Sequence, residues 1–302
     1  MRITNNTLTG NYLRNLNRNL KQMQKYQNQL STGKEVSKPS DNPMLVSRIM
    51  GLDSNVRLNE QYGRNIDDSL GWTDTADGAL NVVSNTMLRA RDLLVYGANG
   101  TLSHTDRQAL KDEAVMLKEQ LVQVLNTNYD GRFIFGGQDT TEPPFSIDVN
   151  GAMKYNGDDV NLQREIAQGV TVEIPTDGSR VVTADKITGD NKDLSILLDK
   201  VISALDTDDT TALSEELLGD MDVHIDNVIR FRSKMGAIYN RLEAAEERNN
   251  SENLSMTELL SQSEDIDLAE KMMEFSVMST VYQASLSTGA KILQPSLLDY
   301  IR

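Results

Sequence analysis

The chain has 302 residues and a formal net charge of −15, with 38% hydrophobic but only 5% aromatic residues. This composition predicts a thin core, which suits long helices with narrow apolar seams better than a compact globule. The acidic excess argues against a nucleic-acid ligand, and a chain without cysteine or a long apolar run has neither disulfides nor a predicted membrane span.

The charge is unevenly distributed along the chain. The first 50 residues carry eight basic and two acidic side chains, so they sum to +6 and the other 252 residues sum to −21. This basic start indicates either contact with an acidic surface or a solvated helix face, and both interpretations stay open. The same segment lacks the apolar stretch of a cleaved signal peptide, so we expect cytoplasmic residence or export without such a signal.

The segment 11–43 predicts an amphipathic helix followed by a turn. An apolar stripe at helical spacing cannot bury itself, so we expect this first helix to pack on the last one. The residues Ser40, Asp41 and Asn42 then predict a turn and a cap for the next helix. The stripe consists of Leu13, Leu16, Leu20, Met23 and Leu30.

A long second helix is predicted from there to the turn sequence GANGTLSHTD at 97–106. Thr105 or Asp106 is expected to cap the third helix. Its inward side chains should be Leu110, Ala114, Leu117, Leu121 and Val124. Those of the second helix should be Ile49, Leu52, Val56, Ile66, Leu70, Thr73, Ala76, Leu80, Val83, Met87, Ala90 and Leu94.

Short strands are predicted between about 130 and 190, where Gly, Asp and Pro are frequent. RFIFGG resembles a buried strand, and FSIDVNGAMKYNGDD predicts a hairpin around Asn150-Gly151. NLQREIAQGVTVEIP predicts two further strands around Gly169. We interpret this region as a small inserted β domain.

Helical periodicity returns at about residue 193. DLSILLDKVISAL predicts one helix, and the next has inward positions that alternate in steps of four and three, as in a seam between helices. A polar break at NNSENLS should precede a last helix that begins near Thr257. The seam positions are Leu217, Met221, His224, Val228, Phe231, Met235, Ile238, Leu242 and Ala245, and those of the last helix are Leu268, Met272, Phe275, Ser279, Tyr282, Leu286 and Leu293.

The predicted fold is mainly α, with long antiparallel helices that form a coiled-coil-like bundle from both chain ends and a small inserted β domain. Five segments follow. The ends, 1–42 and 255–302, should be terminal helices, the first disordered until assembly. The halves of a helical rod should be 43–130 and 193–254, and the β domain should be 131–192.

No catalytic, cofactor-binding or metal site is predicted. His224 occupies an inward heptad slot and is expected to be structural, whereas His104 in a turn should face solvent. The acidic stretches lack the spacing of a calcium loop, and FGGQD lacks the lysine and helix of a phosphate cradle.

Four stretches resemble the flagellin family in the same order as in that family. They are QLSTGKEVSKPSDNPMLVSRI (29–49), MLRARDLLVYGANGTLSHTDRQALKDE (87–113), NTNYDGRFIFGG (126–137) and SVMSTVYQASLSTGAKILQPSLLDYIR (276–302). PSDNP and QPSLLDYIR depart from the filament flagellins, which continue with Ala-Ala-Gly after the acidic pair. These two stretches are more similar to the branch of the family that joins the hook to the filament.

This resemblance implies a structural component of the bacterial flagellum, located outside the cell and exported through the type III channel. It implies a ring of copies that adapts the hook-side junction layer to the filament. The implied partners are the first-layer hook-associated junction protein, flagellin, further copies of the chain, and a cytoplasmic export chaperone on the C-terminal region; no nucleic acid, membrane or cofactor is implied.

The resemblance also implies which residues assemble. The terminal helices should pair through Leu13, Leu16, Leu20, Met23, Leu30, Leu268, Met272, Phe275, Tyr282 and Leu286. The helical body should make side-to-side contacts around Arg89, Arg91, Asn99 and Thr101. Two other functions stay open, namely a filament flagellin and a secreted surface enzyme carried by the β insert, although the insert has no histidine and is small for an enzyme.

Overall fold

The computed structural model describes residues 5–148, 151–187, 190–214 and 216–292. The chain divides into two compact units. The central unit is Asn59–Ser251, and the end unit combines Met1–Leu58 with Glu252–Arg302. The five segments inferred from the sequence remain a prediction.

Helices account for most of the described residues, and short antiparallel strands lie in the middle of the chain, as predicted. The elements in chain order are α1 (Asn5–Thr32), α2 (Pro43–Gly97), α3 (His104–Leu125), β1 (Asn128–Tyr129), β2 (Arg132–Phe133), β3 (Phe145–Ile147), β4 (Met153–Tyr155), β5 (Leu162–Ala167), β6 (Val170–Ile174), α4 (Ser179–Val182), a short 3-10 helix (Asp190–Lys192), α5 (Leu194–Asp206), α6 (Thr210–Ser214), α7 (Glu216–Glu264) and α8 (Leu268–Ile292).

The long helices α2 and α7 run antiparallel in the central unit. Asp77 of α2 accepts a hydrogen bond from Arg232 of α7 at 3.0 Å. Further along, the side-chain amides of Asn59 and Asn249 each donate to the backbone carbonyl of the other, at 2.9 and 3.0 Å. Because both asparagines are buried, any other register would leave polar groups without partners in the interior.

The predicted heptad seam of α7 is confirmed. Seven of its nine positions are buried, and Phe231 and Ile238 are half-buried. The facing stripe of α2 is buried around Leu80, Val83 and Met87. Each fully buried large apolar side chain contributes on the order of 1.5–3 kcal/mol, so these seams hold the central unit together.

The predicted break at NNSENLS is wrong, because α7 continues through it to Glu264. The stretch contains neither Gly nor Pro, and Asn and Ser weaken a helix only modestly. The chain breaks instead between Glu264 and Leu268, not near Thr257. There the carboxylate of Asp267 accepts hydrogen bonds from the first backbone N–H groups of α8 and so caps that helix.

The cap of α3 also differs from the prediction. Ser103 is the N-cap, and Asp106 and Ser103 bond each other's backbone N–H in a capping box. Thr105 and Asp106 therefore lie inside the helix. The predicted cap of α2 is confirmed at Asn42, whose side-chain oxygen accepts from Leu45 at 3.2 Å.

The strands form three separate two-stranded antiparallel ladders within the described residues: β1–β2, β3–β4 and β5–β6. The predicted hairpin strands β3 and β4 pair, although Asn150 of their turn lies outside the described residues. Gly151 and Gly169 have φ values of +82° and +71°, which glycine adopts at little cost.

Most buried apolar side chains of the β region belong to the main core cluster of the helices, and Ile166 and Val172 pack with Ile66 and Leu242 in a second cluster. Phe135, Phe145 and Ile174 are buried in one cluster with Leu80 and Leu121. The ladders are thus held by packing on helices, since isolated two-stranded ladders are marginally stable in water. No helix in the described ranges is long and apolar enough to cross a membrane.

Candidate assembly surface

The first and last helices pack on each other in the end unit, as predicted. The Tyr12 hydroxyl of α1 donates to the backbone carbonyl of Ser285 in α8 at 2.7 Å. At the other end of the pair, the Lys271 ammonium lies 5.8 Å from the ring centroid of Tyr26. The two helices are therefore antiparallel.

Gly289 allows this close approach. A Cβ at this position would lie 2.0 Å from the Tyr12 hydroxyl oxygen, so only glycine fits beside the ring. Asn19 adds a weak hydrogen bond to the Ser285 hydroxyl at 3.4 Å. These polar contacts were not predictable from the sequence, because their residue types do not stand out beside an apolar stripe.

The α1–α8 contact buries little. Among the described side chains of the two helices, only Gln29 and the position of Gly289 are buried. No large apolar side chain in that set is removed from water completely, in contrast with the α7 seam. Six predicted seam candidates are half-buried: Leu16, Leu20, Met23, Leu30, Phe275 and Tyr282.

The other four seam candidates are exposed: Leu13 by 46%, Leu268 by 57%, Met272 by 62% and Leu286 by 45%. Those on α8 lie beside the stripe that contacts α1, and Leu293 lies outside the described residues. The role of all ten seam candidates in assembly stays a prediction.

A second apolar stripe of α8 points away from α1. Met273, Val277 and Val281 follow one another at four-residue spacing and are exposed. Helical geometry places this stripe on the face opposite Phe275 and Tyr282. A helix with two opposite apolar faces is typically buried on both of them.

The two helix breaks of the end unit meet through backbone hydrogen bonds. The N–H of Glu35 donates to the carbonyl of Glu264 at 2.7 Å, and the N–H of Ile266 donates to the carbonyl of Gly33 at 3.0 Å. Lys34 forms an ion pair with Glu264, and this hydrogen bond raises the pKa of the lysine. The Gln29 amide nitrogen donates to the Glu35 carbonyl at 2.7 Å.

Two of the candidates for side-to-side contact already have partners in the central unit. Arg89 donates to Glu113 at 2.7 Å and Arg91 to Asp222 at 2.5 Å. These hydrogen bonds raise the pKa of both guanidinium groups. Because the pairs are exposed, they can also face another subunit, and this lateral role stays a prediction.

Asn99 and Thr101 lie in the α2–α3 turn and are exposed. The Asn99 side-chain oxygen accepts from the Thr101 N–H at 3.1 Å and from its hydroxyl at 2.9 Å. Arg107 stabilises the turn, because its buried guanidinium donates hydrogen bonds to the carbonyls of Gly97 and Asn99 and to the carboxylate of Asp208. The role of Arg107 was not predictable from the sequence, since its partners are mainly backbone carbonyls.

The histidines lie in separate places. His224 is buried, Nε2 lies 2.9 Å from the Asn191 carbonyl, and burial lowers the pKa of the imidazole. His104 is exposed, and Nδ1 lies 2.9 Å from the Asp208 carboxylate. Over the described part of the chain, no three His, Cys, Asp or Glu side chains converge as metal ligands.

Sequence comparisons relate the chain to a known family. The bacterial flagellin N-terminal helical region matches residues 3–140, and the C-terminal helical region matches residues 218–301. Flagellin of Halalkalibacterium halodurans is 30% identical, and the match covers 97% of this chain and 96% of that protein. Flagellar hook-associated protein 3 of Escherichia coli is 26% identical over 94% of this chain and 95% of its own length.

A solved structure shows the same fold. The flagellar junction protein FlgL from Legionella pneumophila matches with a TM-score of 0.57 and 16% identity, over 74% of this chain and 100% of that one. The helical ends, the paired terminal helices and the full-length likeness to a flagellin agree, and the chain belongs to the flagellin family.

Proposed function

We propose that this protein is a structural component of the hook–filament junction of the bacterial flagellum, where its copies form a ring. The observation that carries the proposal is the exposed apolar surface of α1 and α8, which their own contact leaves uncovered. Family membership places the chain among flagellar components that interact with one another, and its role is mechanical rather than catalytic.

One observation favours the junction over the filament. The PSDNP sequence at 39–43 departs from the filament flagellins at the start of α2. Length of match does not separate the two functions, because a hook-associated protein 3 and a flagellin each match almost the whole chain.

The assembly mechanism follows from the burial of the terminal helices. Ordering a residue costs roughly 1–2 kcal/mol of backbone entropy, and α1 and α8 span 28 and 25 residues. Half-buried contacts offset only part of this cost. The helices therefore order fully when neighbouring subunits cover the exposed stripes, which is folding coupled to binding.

The proposal retains the segments and partners inferred from the sequence. The terminal segments 1–42 and 255–302 form the part that orders on assembly, and 43–130, 131–192 and 193–254 form the body. Arg89, Arg91, Asn99 and Thr101 contact the neighbouring copy. The first-layer junction protein and flagellin bind on either side, and a chaperone holds the C-terminal region before type III export.

Location on the flagellum tests this function. Gold-labelled antibody against the full-length protein should mark one point between hook and filament. Chains that lack residues 1–40 or 265–302 should remain folded and fail to support filament growth. Label along the whole filament, or filaments completed by the truncated chains, would contradict the proposal.

Filament flagellin is the second candidate, and the 30% identity to a flagellin over nearly the full length favours it. The two functions differ in self-assembly. Purified flagellin should grow long filaments from seeds, whereas a junction protein should stop at short assemblies. Electron microscopy of the seeded pure protein distinguishes them.

A further inference from the structure

The two chain segments of the end unit carry opposite charge. The described residues 5–58 hold eight basic and three acidic side chains, a net +5. The described residues 252–292 hold seven acidic and two basic side chains, a net −5. In a chain with a net charge of −15, such a basic segment calls for a physical explanation.

Four of these cations form a stripe on α1. Arg14, Arg18, Lys21 and Lys25 follow at spacings of four, three and four residues, which places them on one helix face. This face is roughly opposite the stripe with Tyr12, through which α1 contacts α8. We call these four residues the basic stripe, and all four are exposed.

Three members of the basic stripe, Arg18, Lys21 and Lys25, line a groove of about 460 Å³, which Lys38 and Asp41 also line. Three other cations of the end unit are paired: Lys34 with Glu264, Arg57 with Asp53 and Lys271 with Glu274. In contrast, no member of the basic stripe forms an ion pair with a carboxylate of the described residues. The charge of this face is therefore not neutralised by direct ion pairs among the described residues.

A complementary face lies at the C-terminal end of α7 in the same unit. Leu254, Glu258, Ser261 and Asp265 repeat the spacing of four, three and four, and all are exposed. We call these residues the acidic face. Leu254 is 72% exposed, so the face offers an apolar anchor at one end of its polar groups. Asp265 accepts a hydrogen bond from Ser261 at 2.6 Å, and Glu258 forms no ion pair in the described ranges.

We propose that the basic stripe of one copy docks on the acidic face of a second copy. This inference rests on the proposed function and names the contact that orients neighbouring subunits. Different surfaces meet in such a contact, so it is heterologous, and it closes into a ring when the rotation between copies allows. Burial of apolar stripes supplies the affinity, and the charges select partner and direction, as flanking charges do in coiled coils.

Charge reversal in the full-length chain tests the contact. R18E/K21E/K25E places like charges opposite each other and should lower the amount of protein at the hook–filament junction by more than about tenfold. Adding E258K/S261K to the same chain reverses both faces. This combined variant should recover to within about threefold of the original protein, because the charges are again complementary.

Matched controls separate this contact from general effects of charge. K154E/K186E/K200E changes the net charge equally at three exposed lysines of the central unit and should assemble normally. The milder R18Q/K21Q/K25Q should give an intermediate loss with unchanged circular dichroism, which excludes misfolding as the cause.

The outcomes distinguish the two proposals. Absence of the original protein from the junction overturns the proposed function and this inference with it. Normal assembly of R18E/K21E/K25E overturns the inference alone. Loss without recovery in the combined variant shows that the stripe faces another partner, and this result also overturns it.

Discussion

His224 is the buried ionisable side chain of the α7 seam, with one hydrogen bond, between Nε2 and the Asn191 carbonyl. Its Nδ1 has no partner within the described residues. Burial lowers the pKa below the ordinary value of 6.5, because the charged imidazolium would lose its hydration. Protonation of His224 is therefore less favourable in the folded protein than in the unfolded chain.

This predicts a loss of stability in mild acid. Above about pH 7 both states are neutral and His224 contributes no pH dependence; as the pH falls below 6.5 the unfolded state binds the extra proton and the free energy of unfolding falls. The slope reaches at most about 1.4 kcal/mol per pH unit. Urea denaturation between pH 7.5 and 5.5 should show this slope in the original protein and lose it in His224→Gln.

His104→Gln is the matched control for the pH prediction. His104 is exposed beside Asp208, so this variant should keep the slope that arises from the buried imidazole. An unchanged slope in His224→Gln would show that another group causes the pH dependence.

Arg107 provides a second prediction at the residue scale. Arg107→Met removes three hydrogen bonds and leaves the carbonyls of Gly97 and Asn99 without this donor, so it should lower the free energy of unfolding by about 1.5–3 kcal/mol. Arg89→Met breaks only the exposed pair with Glu113 and should cost less than about 1 kcal/mol. Equal losses in thermal denaturation would refute the proposed support of the turn.

At the scale of elements, two glycines of α2 have opposite surroundings. A Cβ on Gly71 would lie 2.2 Å from the Tyr129 hydroxyl oxygen, whereas a Cβ on Gly78 would meet nothing within 4 Å. Gly71→Ala should therefore cost about 1–3 kcal/mol, because the Tyr129 ring must move to accommodate the methyl group. Gly78→Ala should stabilise by about 0.5–1 kcal/mol, because alanine loses less entropy in a helix.

Trp72 reports on this pair of variants. Its ring lies edge-on to Tyr129 with centroids 6.2 Å apart, so Gly71→Ala should shift tryptophan emission and Gly78→Ala should not. Denaturant titrations followed by the same emission give both stabilities. A neutral Gly71→Ala would mean that the Tyr129 ring does not lie so close to α2.

The elements differ in how far the sequence predicts them. The α7 seam was predictable because its apolar period is local and continuous. The continuity of α7 through NNSENLS was not predictable, because a polar stretch resembles a loop until tertiary contacts such as those of the buried Asn249 are known. The backbone bridge between Lys34 and Asp265 joins segments far apart in sequence through main-chain atoms, which carry no signal in residue type.

At the scale of the whole molecule, the two compact units differ in how fully they bury their apolar side chains. In the central unit, α7 buries a continuous seam, and the β region shares the helical core. In the end unit, α1 and α8 cover each other partly and expose apolar stripes. The sequence predicted that these helices pair, but the rotation of α8 that exposes Met273, Val277 and Val281 required the structure.

Amide hydrogen exchange of the full-length protein tests most directly whether the terminal helices are completed by neighbouring subunits. In dilute solution, amides of α1 and α8 should exchange orders of magnitude faster than those of the α7 seam between Leu217 and Ala245, because local stability follows buried contact. In the assembled junction both helices should become protected. Protection of α1 and α8 equal to that of the seam in an isolated molecule would contradict the account.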